Sequence, residues 1–139
     1  MTLTLDELTT ELAKRIEARE SRKRARTAQE QRRFVYSIRV LLSDIWKANK
    51  CMPARECSIN KRAGWYSEHH RYRDPSLTYK QTISAFNGLL ELELIEVTQE
   101  GYFDRELCQG QLTRFVPKDE LIERVNSLDG HPAITLIPS

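Results

Sequence analysis

The residues with the strongest ligand chemistry in this sequence are Cys51, Cys57, Cys108 and the adjacent pair His69 and His70. Thiolate and imidazole together make zinc sites, but such sites need ligands at short fixed spacings, and Cys51 to Cys57 matches none of the common ones. An odd count does not make a disulfide framework, so the three are read as reduced thiols of a cytoplasmic protein. Adjacent histidines on a charged stretch read as exposed side chains, and no metal is expected. Catalytic signals are missing as well: there is no glycine-rich phosphate loop and no Ser, His and acid set that spacing identifies. The chain is therefore expected not to be an enzyme and to need no cofactor.

What remains is cationic and hydrogen-bonding chemistry, and it is unevenly distributed. The 139 residues include 22 Lys and Arg against 20 Asp and Glu. Residues 1–80 hold 18 of the basic and 10 of the acidic side chains, whereas residues 81–139 hold 4 and 10. A formal net charge of +2 thus conceals a basic part and an acidic part. Such a layout favours an anionic partner on one side only, nucleic acid first. Length and a hydrophobic share of 40% suit one core with an appendage. No apolar run approaches the roughly 20 residues of a membrane span, and the N-terminus lacks the basic-then-apolar order of a leader. The expectation is a protein neither secreted nor membrane-bound.

These side chains need elements to position them. Thr4 and Glu7 have capping-box spacing, with Leu3 and Leu8 placed as a hydrophobic staple, so a helix should begin there. Its stripe of Leu5, Leu8, Leu12 and Ile16 must pack on the body or on another subunit. From Lys14 to Arg33 the chain is rich in Arg and Lys, with no large apolar residue between Ile16 and Phe34. This stretch reads as solvated, either as a connecting helix or as a basic arm that contacts phosphates. Residues 5–49 are compatible with one helix or with two. Phe34, Ile38, Leu41, Leu42, Ile45 and Trp46 predict a core-facing helix over 34–49. A break at 49–53 precedes a short strand or turn near 57–59, then a basic and aromatic loop with Lys61, Arg62, Trp65, Tyr66, Arg71, Tyr72 and Arg73.

Asp74-Pro75-Ser76 signals a turn, and Thr78 with Gln81 repeats the capping-box spacing. The helix it opens, over 78–93, is expected to bury Tyr79, Ile83, Phe86, Leu89 and Leu90 and to present Lys80, Gln81, Ser84 and Asn87. Residues 94–98 and 112–116 read as the two strands of a hairpin with a long tip. Pro117 suits the first position of a short final helix over 118–128, and 129–139 reads as a tail.

Leu89-Leu90-Glu91-Leu92-Glu93-Leu94-Ile95-Glu96, followed by a strand, a glycine-containing tip and a return strand, resembles the recognition helix and wing of winged helix-turn-helix proteins. One departure is Glu93, where such proteins often have glycine at the helix end. Tyr79-Lys80-Gln81-Thr82, Gly101-Tyr102-Phe103-Asp104 and Thr113-Arg114-Phe115-Val116-Pro117 are also similar to segments of replication-initiator proteins of plasmids or mobile elements. The resemblance implies a mainly α fold with a small β-hairpin (α+β). It divides the chain into an N-terminal helical basic arm at 1–33, a winged-helix domain at 34–128 and the tail. It also implies a transcription regulator or replication accessory that binds duplex DNA.

In such modules the early polar residues of the recognition helix meet base edges. Here they are Thr78, Lys80, Gln81, Ser84 and Asn87, and Gln and Lys are types that can read adenine and guanine. The same residues also suit the solvated face of an amphipathic helix. Phosphate contacts are assigned to Arg22, Lys23, Arg24, Arg26, Lys61, Arg62, Arg71 and Arg73. The hairpin tip, with Glu96, Glu100, Asp104 and Glu106, is acidic and would repel phosphates, which suits a wing turned from DNA or a module that does not bind it. The alternative function is a protein-interaction module, with Leu5, Leu8, Leu12 and Ile16 as the docking face of a homodimer.

Overall fold

A computed structural model of the chain describes residues 3–20, 24–52, 55–60, 65–66, 76–104, 106 and 109–129. Helix α1, Leu5–Arg19, starts where the Thr4 hydroxyl accepts the Glu7 backbone N–H at 3.1 Å and donates to the Glu7 carboxylate. It ends at Arg19, and a separate helix α2, Ala28–Cys51, begins after it. The second start has its own capping box: Thr27 Oγ1 accepts the Glu30 N–H at 3.1 Å, and the Glu30 carboxylate accepts the Thr27 N–H at 2.9 Å. Each side chain satisfies a backbone donor that a helix start leaves orphaned, which is why the chain restarts there. Residues 5–49 are therefore two helices, and the expected boundary between 33 and 34 falls inside α2.

Helix α2 is the central element. Its expected stripe of Phe34, Ile38, Leu41, Leu42, Ile45 and Trp46 is buried, and so are Tyr36, Ser37, Val40, Ser43 and Asn49. A helix buried over more than one stripe is packed on several sides. Here α1, a third helix α3 (Tyr79–Glu91), a fourth, α4 (Asp119–Asn126), and a strand β1 (Cys57–Asn60) all lie against it. The α1 stripe packs on this body: Leu8, Leu12 and Ile16 are no more than 2% exposed, and Leu5 is partly buried.

Helix α3 appears where expected but is turned about its axis. Its buried residues are Gln81, Thr82, Ala85, Phe86, Gly88 and Leu89, whereas Tyr79 is 45% exposed and Ile83 and Leu90 are only partly covered. At about 100° per residue this is roughly a quarter turn from the expected burial face. The cause is α1, which crosses the small-residue side. A Cβ added at Gly88 would lie 2.6 Å from Ile16 Cγ2, so the helices approach there at a distance only glycine allows.

The helix ends in a motif that glycine normally serves. The Leu94 N–H bonds to the Leu89 carbonyl at 3.1 Å and the Glu93 N–H to the Leu90 carbonyl at 3.0 Å, with Glu93 at φ 60°. This is the paired-bond helix stop with a left-handed residue, here a glutamate. The chain then enters β3 (Ile95–Gln99), turns through β4 (Tyr102–Asp104) and β5 (Gln109–Gln111), and returns as β6 (Thr113–Pro117). With β2 (Trp65–Tyr66), the main strands form an antiparallel sheet in the order β2-β1-β6-β3, and β4 pairs with β5 in the hairpin tip. Gly101 allows the kink between the two, since a Cβ there would lie 2.7 Å from the Gln111 carbonyl oxygen. Phe86 and Phe115 meet edge-on at 5.2 Å and join α3 to the sheet.

Pro117 is not the first residue of the last helix. It closes β6 opposite Ile95, and Lys118 is the N-cap of α4, its N–H held by the Leu94 carbonyl at 2.8 Å. Leu3 and Leu128 form an isolated bridge, so the start of the chain is tied to the end of α4. Among the described residues the architecture is α+β, four helices with a small antiparallel sheet. Among the described residues no helix is long and apolar enough to cross a membrane.

Candidate nucleic-acid interface

The face of α3 that the core leaves uncovered carries Tyr79, Lys80 and Asn87, with Ser84 and the N-cap Thr78 half-buried at its margin. Four of the five expected base-reading residues therefore reach solvent to some degree. Gln81 does not. It is 3% exposed, and its Oε1 lies 3.4 Å from Arg26 Nε as the acceptor of that donor. The expected cap between Thr78 and Gln81 is accordingly absent, since Thr78 makes no side-chain cap bond. The reason is tertiary: the helix is turned so that Gln81 faces the connection between α1 and α2.

Arg26, expected on phosphates, is also withdrawn from the surface. Its side chain is 3% exposed, and it donates to both Glu20 carboxylate oxygens, at 2.7 and 2.8 Å. The guanidinium lies over the Phe34 ring, 3.6 Å from the centroid. A planar cation held by a bidentate carboxylate and an aromatic face is a structural clamp, and it is not placed to meet phosphates. Nearby, Gln31 donates to the Glu17 carboxylate, so a second side-chain bond ties the ends of α1 and α2.

Arg24, two residues earlier, is turned outward with 68% of its side chain exposed. Its guanidinium lies 3.7 Å from Glu30, and Lys80, 64% exposed, lies 3.9 Å from the other oxygen of the same carboxylate. The Thr27 backbone bond, helped by the Arg24 and Lys80 charges, holds the Glu30 carboxyl below the usual glutamate range. Glu30 was not singled out from the sequence, although Thr27 and Glu30 have the same spacing as Thr4 and Glu7. Further along α3, Ser84 and Asn87 share a shallow groove of about 450 Å³ with Arg19, Glu20 and Glu91. Charges of both signs therefore border the polar face.

The remaining assigned residues divide in two. Arg22, Lys23, Lys61, Arg62, Arg71 and Arg73 lie outside the described residues, as do Cys108, His69 and His70. Leu8, Leu12 and Ile16 are covered by the chain's own core and are not an open docking face, while Leu5 is half-covered at its edge. In the hairpin Glu96, Glu100 and Glu106 are exposed. Arg114 is paired at 3.7 Å with Glu56, which also accepts the Thr98 hydroxyl. Among the described residues no three His, Cys, Asp or Glu side chains are grouped as a metal site. No protein family, no curated protein and no solved structure matches this chain.

Proposed function

We propose that the chain is a duplex DNA-binding protein of the winged-helix kind, a transcription regulator or replication accessory, that lays the outer face of α3 on DNA. The observation that carries this reading is a convergence. Arg24, from the stretch read as phosphate-binding, and Lys80, from the stretch read as base-reading, are 56 positions apart in the sequence, yet both lie within 4 Å of Glu30. Phosphate contact and base contact can thus be made from one surface. Asn87, Ser84 and Thr78 would face the groove, Lys80 its edge within reach of base and phosphate, and Arg24 the adjoining backbone. The order β1-β6-β3, with α3 leading directly into β3, also fits a recognition helix followed by a wing. The hairpin, with its exposed carboxylates, is turned from phosphates in this reading and suits a protein partner.

The test is binding of a fluorescein-labelled random duplex, followed by anisotropy at low and moderate salt. Affinity should fall steeply as salt rises, because each neutralised phosphate releases counter-ions. Lys80→Ala should weaken binding and flatten the salt slope by about one ion. Absence of binding at low salt would refute the reading and leave the interaction module in its place.

A further inference from the structure

Glu30 sits where two exposed cations converge. Its two carboxylate oxygens face them separately, Oε1 toward Arg24 Nη2 at 3.7 Å and Oε2 toward Lys80 Nζ at 3.9 Å. The carboxylate is anchored from behind, because Oε1 also accepts the Thr27 N–H at 2.9 Å and closes the capping box of α2. Swinging away would break the Thr27 N–H bond, one of the two that make the capping box. Arg26 and Glu20, the next charged pair along, are bonded to each other. A carboxylate resembles a phosphate in charge and in the oxygens it offers to cations, so the position it occupies is one a phosphate would seek.

We infer that Glu30 is a built-in counter-ion of the candidate interface, holding the anion position between Arg24 and Lys80 so that a nucleic-acid phosphate must compete with it. The inference rests on the duplex-DNA reading and deepens it. Phosphate contacts supply affinity without sequence choice. A fixed carboxylate among them lowers binding to any duplex and leaves more of the discrimination to Thr78, Ser84 and Asn87. Glu30 is thus a residue that sets specificity by weakening the indiscriminate part of binding.

Glu30→Gln tests this cleanly, since glutamine serves at the same capping-box position and keeps an oxygen for the Thr27 N–H while removing the charge. The first probe is tripolyphosphate, titrated into the full chain and followed by the amide shifts of Arg24 and Lys80. The variant should bind about three- to fivefold more tightly at low salt, with the difference fading as salt screens the charges. Adding Lys80→Gln to Glu30→Gln should remove most of that gain. Equal affinity of wild type and Glu30→Gln at low salt, or a gain that survives Lys80→Gln, would overturn the inference. The labelled duplex is the second probe. If Glu30→Gln gains tripolyphosphate affinity while neither protein binds duplex, the DNA reading fails and the counter-ion stands. If wild type binds duplex but Glu30→Gln gains nothing with either probe, the reverse holds.

Discussion

The junction of α1, α2 and α3 and the β3–β6 hairpin use their arginines in opposite ways. In the junction Arg26 is buried, bidentate to Glu20 and stacked on Phe34, while Arg24 two residues away is exposed. In the hairpin Arg114 and its partner Glu56 are 52% and 44% exposed and 3.7 Å apart. The difference lies in what stands behind each side chain. Where a carboxylate and an aromatic ring sit on neighbouring elements, a cation is absorbed into the fold. Where a carboxylate is present but no ring backs the cation, as at Arg24 and Arg114, the pair stays open to solvent.

The sharpest way to break this contrast is to delete each arginine. Arg26→Ala should cost about 2–4 kcal/mol in thermal or urea unfolding, because it removes the bidentate pair with Glu20, the bond to Gln81 and the stacking on Phe34. Arg114→Ala should cost less than about 0.5 kcal/mol, as exposed pairs do. Similar losses at both sites would mean the junction is not a clamp. Next in size is the small-residue contact that turns α3. Gly88→Val should destabilise by about 1–3 kcal/mol, since its side chain would overlap Ile16 in a closed contact. A variant as stable as wild type would show that α1 does not press on α3 there.

Glu93→Gly should act in the other direction. It relieves a left-handed glutamate at the helix stop and should raise stability by about 0.5–1 kcal/mol in the same unfolding assay. The smallest effect concerns pH. The Glu30 carboxyl is held below its ordinary value by the Thr27 bond and the two cations. Its contribution is therefore complete above the unfolded-state pKa and lost as pH falls through the folded one. Wild type should lose a little more stability on acidification than Glu30→Gln, and parallel acid profiles would contradict this.

Much of the scaffold was legible in the residues. The Thr4 cap and the α2 stripe from Phe34 to Trp46 follow from local spacing, as do the hairpin strands about Gly101, and of the strand or turn expected near Cys57 the strand is formed. Glu93 was readable too, as a departure that the backbone accommodates at positive φ. The restart of the helix at Thr27 had the same signature as Thr4 but was masked by the helix-forming composition around it. The orientation of α3 was not legible. Its large apolar residues Tyr79, Ile83 and Leu90 mark one side, yet the face that is buried lies about a quarter turn away, with α1 closing on it at Gly88. Which side wins depends on a helix some 70 residues earlier, and no local pattern carries that. The same turn withdrew Gln81 from the candidate interface, onto an Arg26 already held by Glu20 and Phe34.

The most direct measurement is a map of backbone amide shifts when duplex DNA is added to the full chain at low salt. Perturbation should centre on Arg24, Thr78, Lys80, Ser84 and Asn87, leaving Glu96, Glu100 and Tyr102 of the hairpin nearly unmoved. Shifts centred on the hairpin, with α3 and the α1–α2 connection silent, would contradict the assignment of the outer face of α3 as the surface that meets DNA.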